Sequence, residues 1–387
     1  MTVYLDNSAT SNPKPESVYT AIVEYMRGNG ASPGRGNYAL ARDADELVYK
    51  TRKAMCGILG AKRPSEIIFT SNATEAVNMA LKGYLDAGDR VLVTGYEHNA
   101  VWRPLKKLEE ERGVKLTLLP SYSNGTADLR TLREMLTGVR LAVVSHGSNV
   151  LGCVTPLAEI VSAAREAGVP VLVDAAQTAG AYPINLSEIQ ADMLAFTGHK
   201  GLMGPTGTGG LYLREGLELR TLKEGGTGGM SDSPYPPKDP PDRYEAGTMN
   251  IAGIAGLHAA ADFILETGVE NIRSHEIELM EMLLDGLNSI SGVVYYGPRK
   301  ADERLGLVSF NLAGVSANEA ARILDEDYGI MVRAGLHCAP QAHRLMGTER
   351  VGAVRASVGY FNSERDIEHL IGALSRITAE AGGGDAS

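Results

Sequence analysis

Short apolar runs recur through the first half of this chain, and they do not alternate with polar residues. Glu66–Thr70, Arg90–Thr94, Val114–Leu119, Leu141–Ser145, Pro170–Asp174, Met193–Thr197 and Gly209–Leu213 each read as a strand. A strand that is apolar on both faces has to be covered on both faces. Helical patterns lie between the runs. Thr74 to Tyr84 gathers Val77, Ala80, Leu81 and Tyr84 on one stripe, and Trp102 to Arg112 stops at Gly113. Strand and helix in alternation predict an α/β fold with a mostly parallel central sheet. Gly209–Leu213 is expected to pair at the edge of that sheet.

The second half reads differently. Gly225 to Gly247 is rich in Gly, Pro, Ser and Asp and contains Pro234-Tyr235-Pro236-Pro237. It cannot be a helix interior or a central strand, so it reads as a long loop ending the large domain. Asn250–Thr267 and Gly268–Ile290 then read as helices, and Val293–Tyr296 and Leu307–Leu312 as strands. Asn318–Tyr328 and Glu364–Ala379 read as further helices. These elements predict a smaller α+β C-terminal domain. The expected division is 14–250 for the large domain, 1–13 with 251–380 for the small one, and a disordered tail over 381–387.

The chain's 387 residues, 44% hydrophobic and 22% charged, suffice for such an arrangement. A net charge of −10 argues against nucleic acid and anionic membranes as partners. No apolar run approaches the ~20 residues of a membrane span, and the first residues lack the pattern of a signal peptide. Cys56, Cys153 and Cys338 share no metal-type spacing, so no metal site is expected. Free thiols suit a reducing cytoplasm.

Polar residues cluster just after the strands, where the ligand crevice of a parallel sheet opens. Thr74, His98, Asn149, Asp174 and His199-Lys200 all fall there. Asp174 ends an apolar run, and Lys200 stands on a short polar turn before the glycine-rich Gly201–Gly210. This is the pair a pyridoxal 5'-phosphate (PLP) site requires. The carboxylate keeps the pyridine nitrogen protonated, and the lysine forms the Schiff base and moves protons. Taken alone, Asp174 serves equally well as a helix N-cap, and most lysines are on the surface.

Gln177 can hydrogen-bond the phenolic oxygen of that ring. Ser71–Glu75 joins a strand to a helix, either as a phosphate site or simply as an N-cap made by Asn72 or Thr74. Thr197 and His199 can also reach a phosphate. His98 can stack on the ring or serve the structure. Cys338 lies in an irregular loop between Gly335 and Pro340, where a thiolate would be reactive. The alternative is a buried, inert cysteine, the reading given to Cys56 and Cys153. Arg355 can hold a substrate carboxylate or form a structural salt bridge. Asn149 can support the same carboxylate or the ring oxygen.

These motifs agree in order and spacing with a known family. From Tyr4–Thr10 to Arg355–Ser357, the chain resembles PLP-dependent class V aminotransferase-fold enzymes, specifically the cysteine desulfurases of the SufS-like group. Thr197-Gly198-His199-Lys200 and Arg333–Ala339 are the most specific pieces. The resemblance implies PLP-transferase fold type I and a homodimer with two active sites at its interface. It implies conversion of L-cysteine to L-alanine, the sulfur passing to Cys338 as a persulfide and then to an acceptor. Lys200 would carry PLP and remove the α-proton, Asp174 would partner the pyridine nitrogen, and His98 would be the stacked catalytic imidazole. Gln177 would bind the phenolic oxygen. Ala73, Thr74, Thr197 and His199 would hold the phosphate, with Thr248 reaching the phosphate of the other subunit. Asn149 and Arg355 would bind the substrate.

The chain departs from the SufS-like pattern in places. Leu336 stands where many members have a histidine, the loop Gly225–Ser231 differs, and the sequence starts almost at Asp6–Thr10 without the usual N-terminal helix. L-Selenocysteine stays open as a substrate. The rival readings are a selenocysteine or cystine lyase or an aminotransferase on the same fold. A transaminase or cystine lyase would not need Cys338. A catalytically silent binding protein is a further rival, against which Lys200, Asp174 and His98 together count.

Overall fold

The apolar runs do assemble into one sheet. The computed structural model, which describes residues 2–34, 36–228 and 232–383, contains a seven-stranded sheet. We number the strands β1 (Val3–Tyr4), β2 (Ile67–Thr70), β3 (Arg90–Val93), β4 (Lys115–Leu118), β5 (Leu141–Ser145), β6 (Val171–Asp174), β7 (Met193–Thr197) and β8 (Gly209–Leu213). The order across the large sheet is β2-β8-β7-β6-β5-β3-β4. Strands β4, β3, β5, β6 and β7 run parallel, and β8 is antiparallel to both neighbours.

Side-chain alternation explains why these strands are apolar throughout. Along β3, β5, β6 and β7, Leu92, Ala142, Val144, Val171, Val173 and Leu194 enter one core cluster. Their neighbours Val91, Val93, Leu141, Val143, Leu172, Met193 and Ala195 enter another on the opposite face. Each strand thus buries both of its faces.

One expectation is corrected here: Gly209–Leu213 is not at the sheet edge. β2 is the edge, and β8 lies between β2 and β7. The turn from β7 to β8 is too short for a helical crossover, so the chain returns antiparallel. The glycines that open β8 make room for this position. A Cβ on Gly210 would stand 2.3 Å from the Phe196 ring, and one on Gly209 2.7 Å from the Asn72 backbone.

The C-terminal part builds a four-stranded antiparallel sheet. It comprises β9 (Val293–Tyr295), β10 (Leu307–Leu312), β12 (Arg333–Gly335) and β13 (Ala353–Ser357), in the order β12-β13-β10-β9. The short β11 (Ile330–Met331) pairs in parallel with β1. Helices Val269–Ser289, Ala317–Tyr328 and Glu364–Gly383 supply this second core with Leu279, Leu283, Leu324, Leu370 and Leu374.

Helix Ile251–Thr267 packs along helices Glu16–Gly28 and Ala39–Leu59. The expected boundary at residue 250 therefore precedes a helix whose Ile251, Ile254, Leu257, Ala261 and Ile264 lie in the first core cluster. Within the expected disordered tail, Ala381–Gly383 continue the last helix, and Gly384–Ser387 lie outside the described residues. Part of the Gly225–Gly247 stretch, residues 229–231, also lies outside them; its described residues form no helix or strand. Among the described residues, no helix is long and apolar enough to cross a membrane.

Candidate active site

The carboxyl ends of the large-sheet strands and the start of β12 enclose a cavity of about 230 Å³. Ala73, Thr74, Thr197 and His199 line one part of it, and Asp174, Gln177, His98, Asn149, Lys200 and Arg355 line the rest. All but Arg355 stand at or just after the carboxyl ends of strands of the large sheet, where the crevice opens; Arg355 comes from β13 of the second sheet.

Asp174 closes β6 and is 5% exposed. Burial raises its carboxyl, while a hydrogen bond from the Ala176 N–H at 2.9 Å and the charge of Lys200 oppose that shift. Burial acts in the other sense on Lys200 and lowers its amine to about 8; Asp174 resists this, and Arg355 and Arg333 add to it. A lysine with such a value keeps a fraction of its amine unprotonated near neutral pH, which is what a nucleophile and proton carrier needs.

His98 precedes helix Asn99–Arg112, and its Nδ1 accepts the Ala100 N–H at 3.0 Å. Burial, followed by the cations Lys200, Arg333, Arg355 and Arg103, lowers this imidazole to about 4. The neutral ring therefore carries its proton on Nε2, since Nδ1 accepts.

At the start of helix Ala73–Tyr84, Asn72 is the cap, and its side chain accepts the Glu75 N–H at 2.9 Å. The capping role thus belongs to Asn72 and leaves Thr74 to the cavity. The helix dipole and unpaired amides there favour an anion. Two buried polar atoms at the same cavity, Thr197 Oγ1 and His199 Nδ1, have no protein partner. Buried polar atoms are normally satisfied, so these point to a ligand. A phosphate beside Thr74, a ring nitrogen beside Asp174 and an aldehyde beside Lys200 suit this donor set, and the residues fit PLP.

The remaining predicted residues are partly engaged within the protein. Gln177 Nε2 donates to Ser8 O at 3.1 Å, and Asn149 Nδ2 donates to His337 O at 2.7 Å. Arg355 is 1% exposed; it donates to Asp6 Oδ1 at 2.5 Å and to Asn149 O at 3.0 Å, while its Nε has no partner. The salt-bridge reading of Arg355 therefore holds, with Nε still free for a further acceptor. Thr248 is not in this cavity. It borders another one, with Arg52, Asp45 and Glu245.

Cys338 is exposed, unlike Cys56 and Cys153, whose thiols burial pushes up to about 11 and about 12. It is not among the cavity-lining residues, but its neighbour His337 is. Both adopt left-handed backbone, with φ of 48° at His337 and 57° at Cys338. Such residues cost about 1–2 kcal/mol each and persist where the surroundings hold them. The Arg333 guanidinium donates to Cys338 Sγ at 3.7 Å. Helix Pro340–Met346 follows at once, begun by a proline at its start.

Sequence reasoning passed over Glu97, Ser145 and the buried histidines. Glu97 is fully buried and pushed up to about 8, above all by burial; its carboxylate accepts the Ser145 N–H at 3.0 Å. Its signal was available: like Asp174, it is an acid just beyond an apolar run. His337 and His343 stack, and His343 Nδ1 meets Thr348 Oγ1 at 2.8 Å. No local pattern announces that pairing.

Comparison with known proteins gives a consistent picture. Residues 3–370 match the family Aminotransferase class-V. A probable cysteine desulfurase of Pyrococcus abyssi is 36% identical over 384 residues, 97% of this chain and 94% of that protein. One of Methanothermobacter thermautotrophicus is 37% identical over 382 residues, with coverage of 97% and 94%. The solved apo structure of a cysteine desulfurase from Thermococcus onnurineus superposes with a TM-score of 0.93 at 36% identity, covering 98% of this chain and 95% of that one.

Proposed function

Because the chain belongs to the class-V aminotransferase family, and to the cysteine desulfurases within it, we propose that it moves the sulfur of L-cysteine onto Cys338 and releases L-alanine. One observation carries this reading: Lys200 and Asp174 line one cleft, and the exposed thiol of Cys338 stands on a left-handed turn whose other residue, His337, lines it too.

PLP bound here supplies an electron sink and a carbonyl for the amino group of the substrate. Lys200 would hold it and then carry the α-proton, because its amine sits near about 8. Asp174 would hold the ring nitrogen, Gln177 the phenolic oxygen, and Thr74, Thr197, His199 and the Ala73 amide the phosphate. His98, kept neutral, would lie against the ring and exchange protons through Nε2. Thr248 would reach the phosphate of a second subunit in a homodimer. Arg355, through its free Nε, and Asn149 would take the substrate carboxylate. Cys338 Sγ forms a bond to the substrate sulfur as the carbon–sulfur bond breaks. The persulfide then gives its sulfur to an acceptor protein or small molecule, in the cytoplasm.

A lyase acting on L-selenocysteine is the second reading, and Cys338 decides between them. Alanine and sulfide released from L-cysteine with a reductant are compared for the unaltered protein and Cys338→Ala. The expected result is a drop of about 100-fold or more, with PLP absorbance retained. Equal rates would make the thiol structural and leave a lyase or an aminotransferase.

A further inference from the structure

Two adjacent left-handed residues other than glycine are costly, and the turn they form has one hydrogen bond of its own, from the Ala339 N–H to Leu336 O at 3.0 Å. The surroundings of His337 and Cys338 show what else holds them. From the second sheet, the His337 ring reaches Arg333 O at 3.2 Å and His343 Nε2 at 3.4 Å. These contacts root the ring in helix Pro340–Met346 and leave both carbonyls of the turn facing other partners. Both partners come from the large sheet's crevice. The Asn99 N–H donates to Cys338 O at 2.8 Å, and Asn149 Nδ2 donates to His337 O at 2.7 Å.

The local sequence makes these two donors available. Asn99 is the first residue of its helix, and the N–H there has no partner within the helix. His98 accepts the next N–H, that of Ala100, so the cap leaves Asn99 unclaimed. Asn149 is 6% exposed and is fixed in turn by the Arg355 guanidinium on its carbonyl at 3.0 Å. The imidazole beside Lys200 and the carbonyl of the thiol residue thus hang on consecutive residues of one turn.

We propose that Asn99 and Asn149 are positioning residues for sulfur transfer: together they clamp the two left-handed carbonyls and fix where Cys338 Sγ stands. The proposal rests on the reading of Cys338 as the sulfur-accepting thiol. It gives Asn149 a second duty, beside the carboxylate role expected from sequence. It also links the crevice of the first sheet to the thiol of the second, so that the sulfur step depends on both staying together.

The test uses the PLP-loaded protein and the variant Asn99→Pro. Proline suits the first helical position, and His98, at φ −67° and ψ 155°, suits the residue before a proline. The change deletes one N–H and leaves the helix intact. Asn99→Ala keeps the N–H and serves as the conservative control. Asn149→Ala removes the other donor. Hydrogen exchange is followed on a peptide spanning Gly335–Pro340. Alanine formation and loss of deuterium from the substrate α-carbon are followed in parallel; deuterium loss needs Lys200 but not the thiol.

Asn99→Pro is expected to speed exchange in the turn and to lower kcat for alanine about fivefold, the worth of one hydrogen bond. KM and deuterium loss stay unchanged, and Asn99→Ala behaves as the unaltered protein. Asn149→Ala speeds exchange in the turn as well. Normal protection of the turn in Asn99→Pro, or equal effects of Asn99→Pro and Asn99→Ala, would overturn the clamp. If Cys338→Ala still makes alanine, the sulfur-transfer reading fails instead, and the exchange data still decide whether the clamp exists.

Discussion

Burial works on Lys200 and Asp174 in opposite senses, because it disfavours charge on both. The amine falls to about 8 and the carboxyl rises, each held back by the other. A consequence follows for loading PLP onto the protein without it. Below pH 8 the attacking amine is mostly protonated, so the loading rate should rise about tenfold per pH unit and flatten above about 8. Stopped-flow absorbance checks this. A rate still climbing beyond pH 10 would return Lys200 to ordinary lysine behaviour. Glu97, pushed up to about 8, titrates in the same window, so the series is repeated with Glu97→Gln. At this scale, the residues whose place at the cavity was legible in the sequence are those set by a local position: Asp174, His98, Thr74 and Lys200 all stand at or shortly after the end of a strand. What stayed hidden is non-local. Asn149 spends its amide on a carbonyl 188 positions away, and Arg355 meets Asp6 across 349 positions. Neither distance leaves a periodicity or a motif.

The elements with strong apolar patterns were legible to within a residue or two, since burial on both faces leaves no other reading for runs such as Leu141–Ser145 and Met193–Thr197. Placement within the sheet was less so, because β8 is positioned by the glycines it carries and not by its hydrophobicity. Helix Pro340–Met346 went unread because only Gln341, Ala342 and His343 on it are buried, too few to form an apolar stripe. The glycine- and proline-rich loop before residue 250 is anchored by a device equally invisible in sequence. Arg52 and Glu245, with side chains 7% and 6% exposed, pair at 2.5 Å, and Glu245 also accepts the Phe69 N–H of edge strand β2. Glu245→Ala leaves the buried Arg52 guanidinium with Ile67 O but no counter-charge, and the Phe69 amide without its acceptor, at a cost of about 3–5 kcal/mol. Glu245→Gln still offers an acceptor and recovers part of that. Denaturant midpoints measure the loss, and limited proteolysis between residues 225 and 247 should speed up in Glu245→Ala. An unchanged midpoint would mean that the pair contributes nothing beyond its own desolvation.

At the scale of the whole molecule, the N-terminal strap ties the two cores together at the cleft. Val3 and Leu5, 1% and 0% exposed, pack in the second core, and β1 pairs with β11. Asp6 holds Arg355, Gln177 donates to Ser8 O, and the Ser11 N–H donates to His199 O at 2.9 Å. The strap therefore begins in the second core and ends on the turn that carries Lys200. A chain lacking residues 2–9 loses two buried apolar side chains from the second core, at about 2–5 kcal/mol each on the scale of truncation to alanine. The buried charge of Arg355 also loses its partner, at about 3–5 kcal/mol. These losses fall on the second core, while the first keeps its own clusters on both faces of the large sheet. The shortened chain should unfold in two steps, the second core melting first, where the full chain unfolds in one. Calorimetry resolves the steps, and tyrosine fluorescence assigns them poorly, so hydrogen exchange on β10 and β13 against β5 and β6 makes the assignment. A single transition near the temperature of the full chain would show that the two cores hold together without the strap. The link from Asp6 to Arg355 would then serve the orientation of the guanidinium alone.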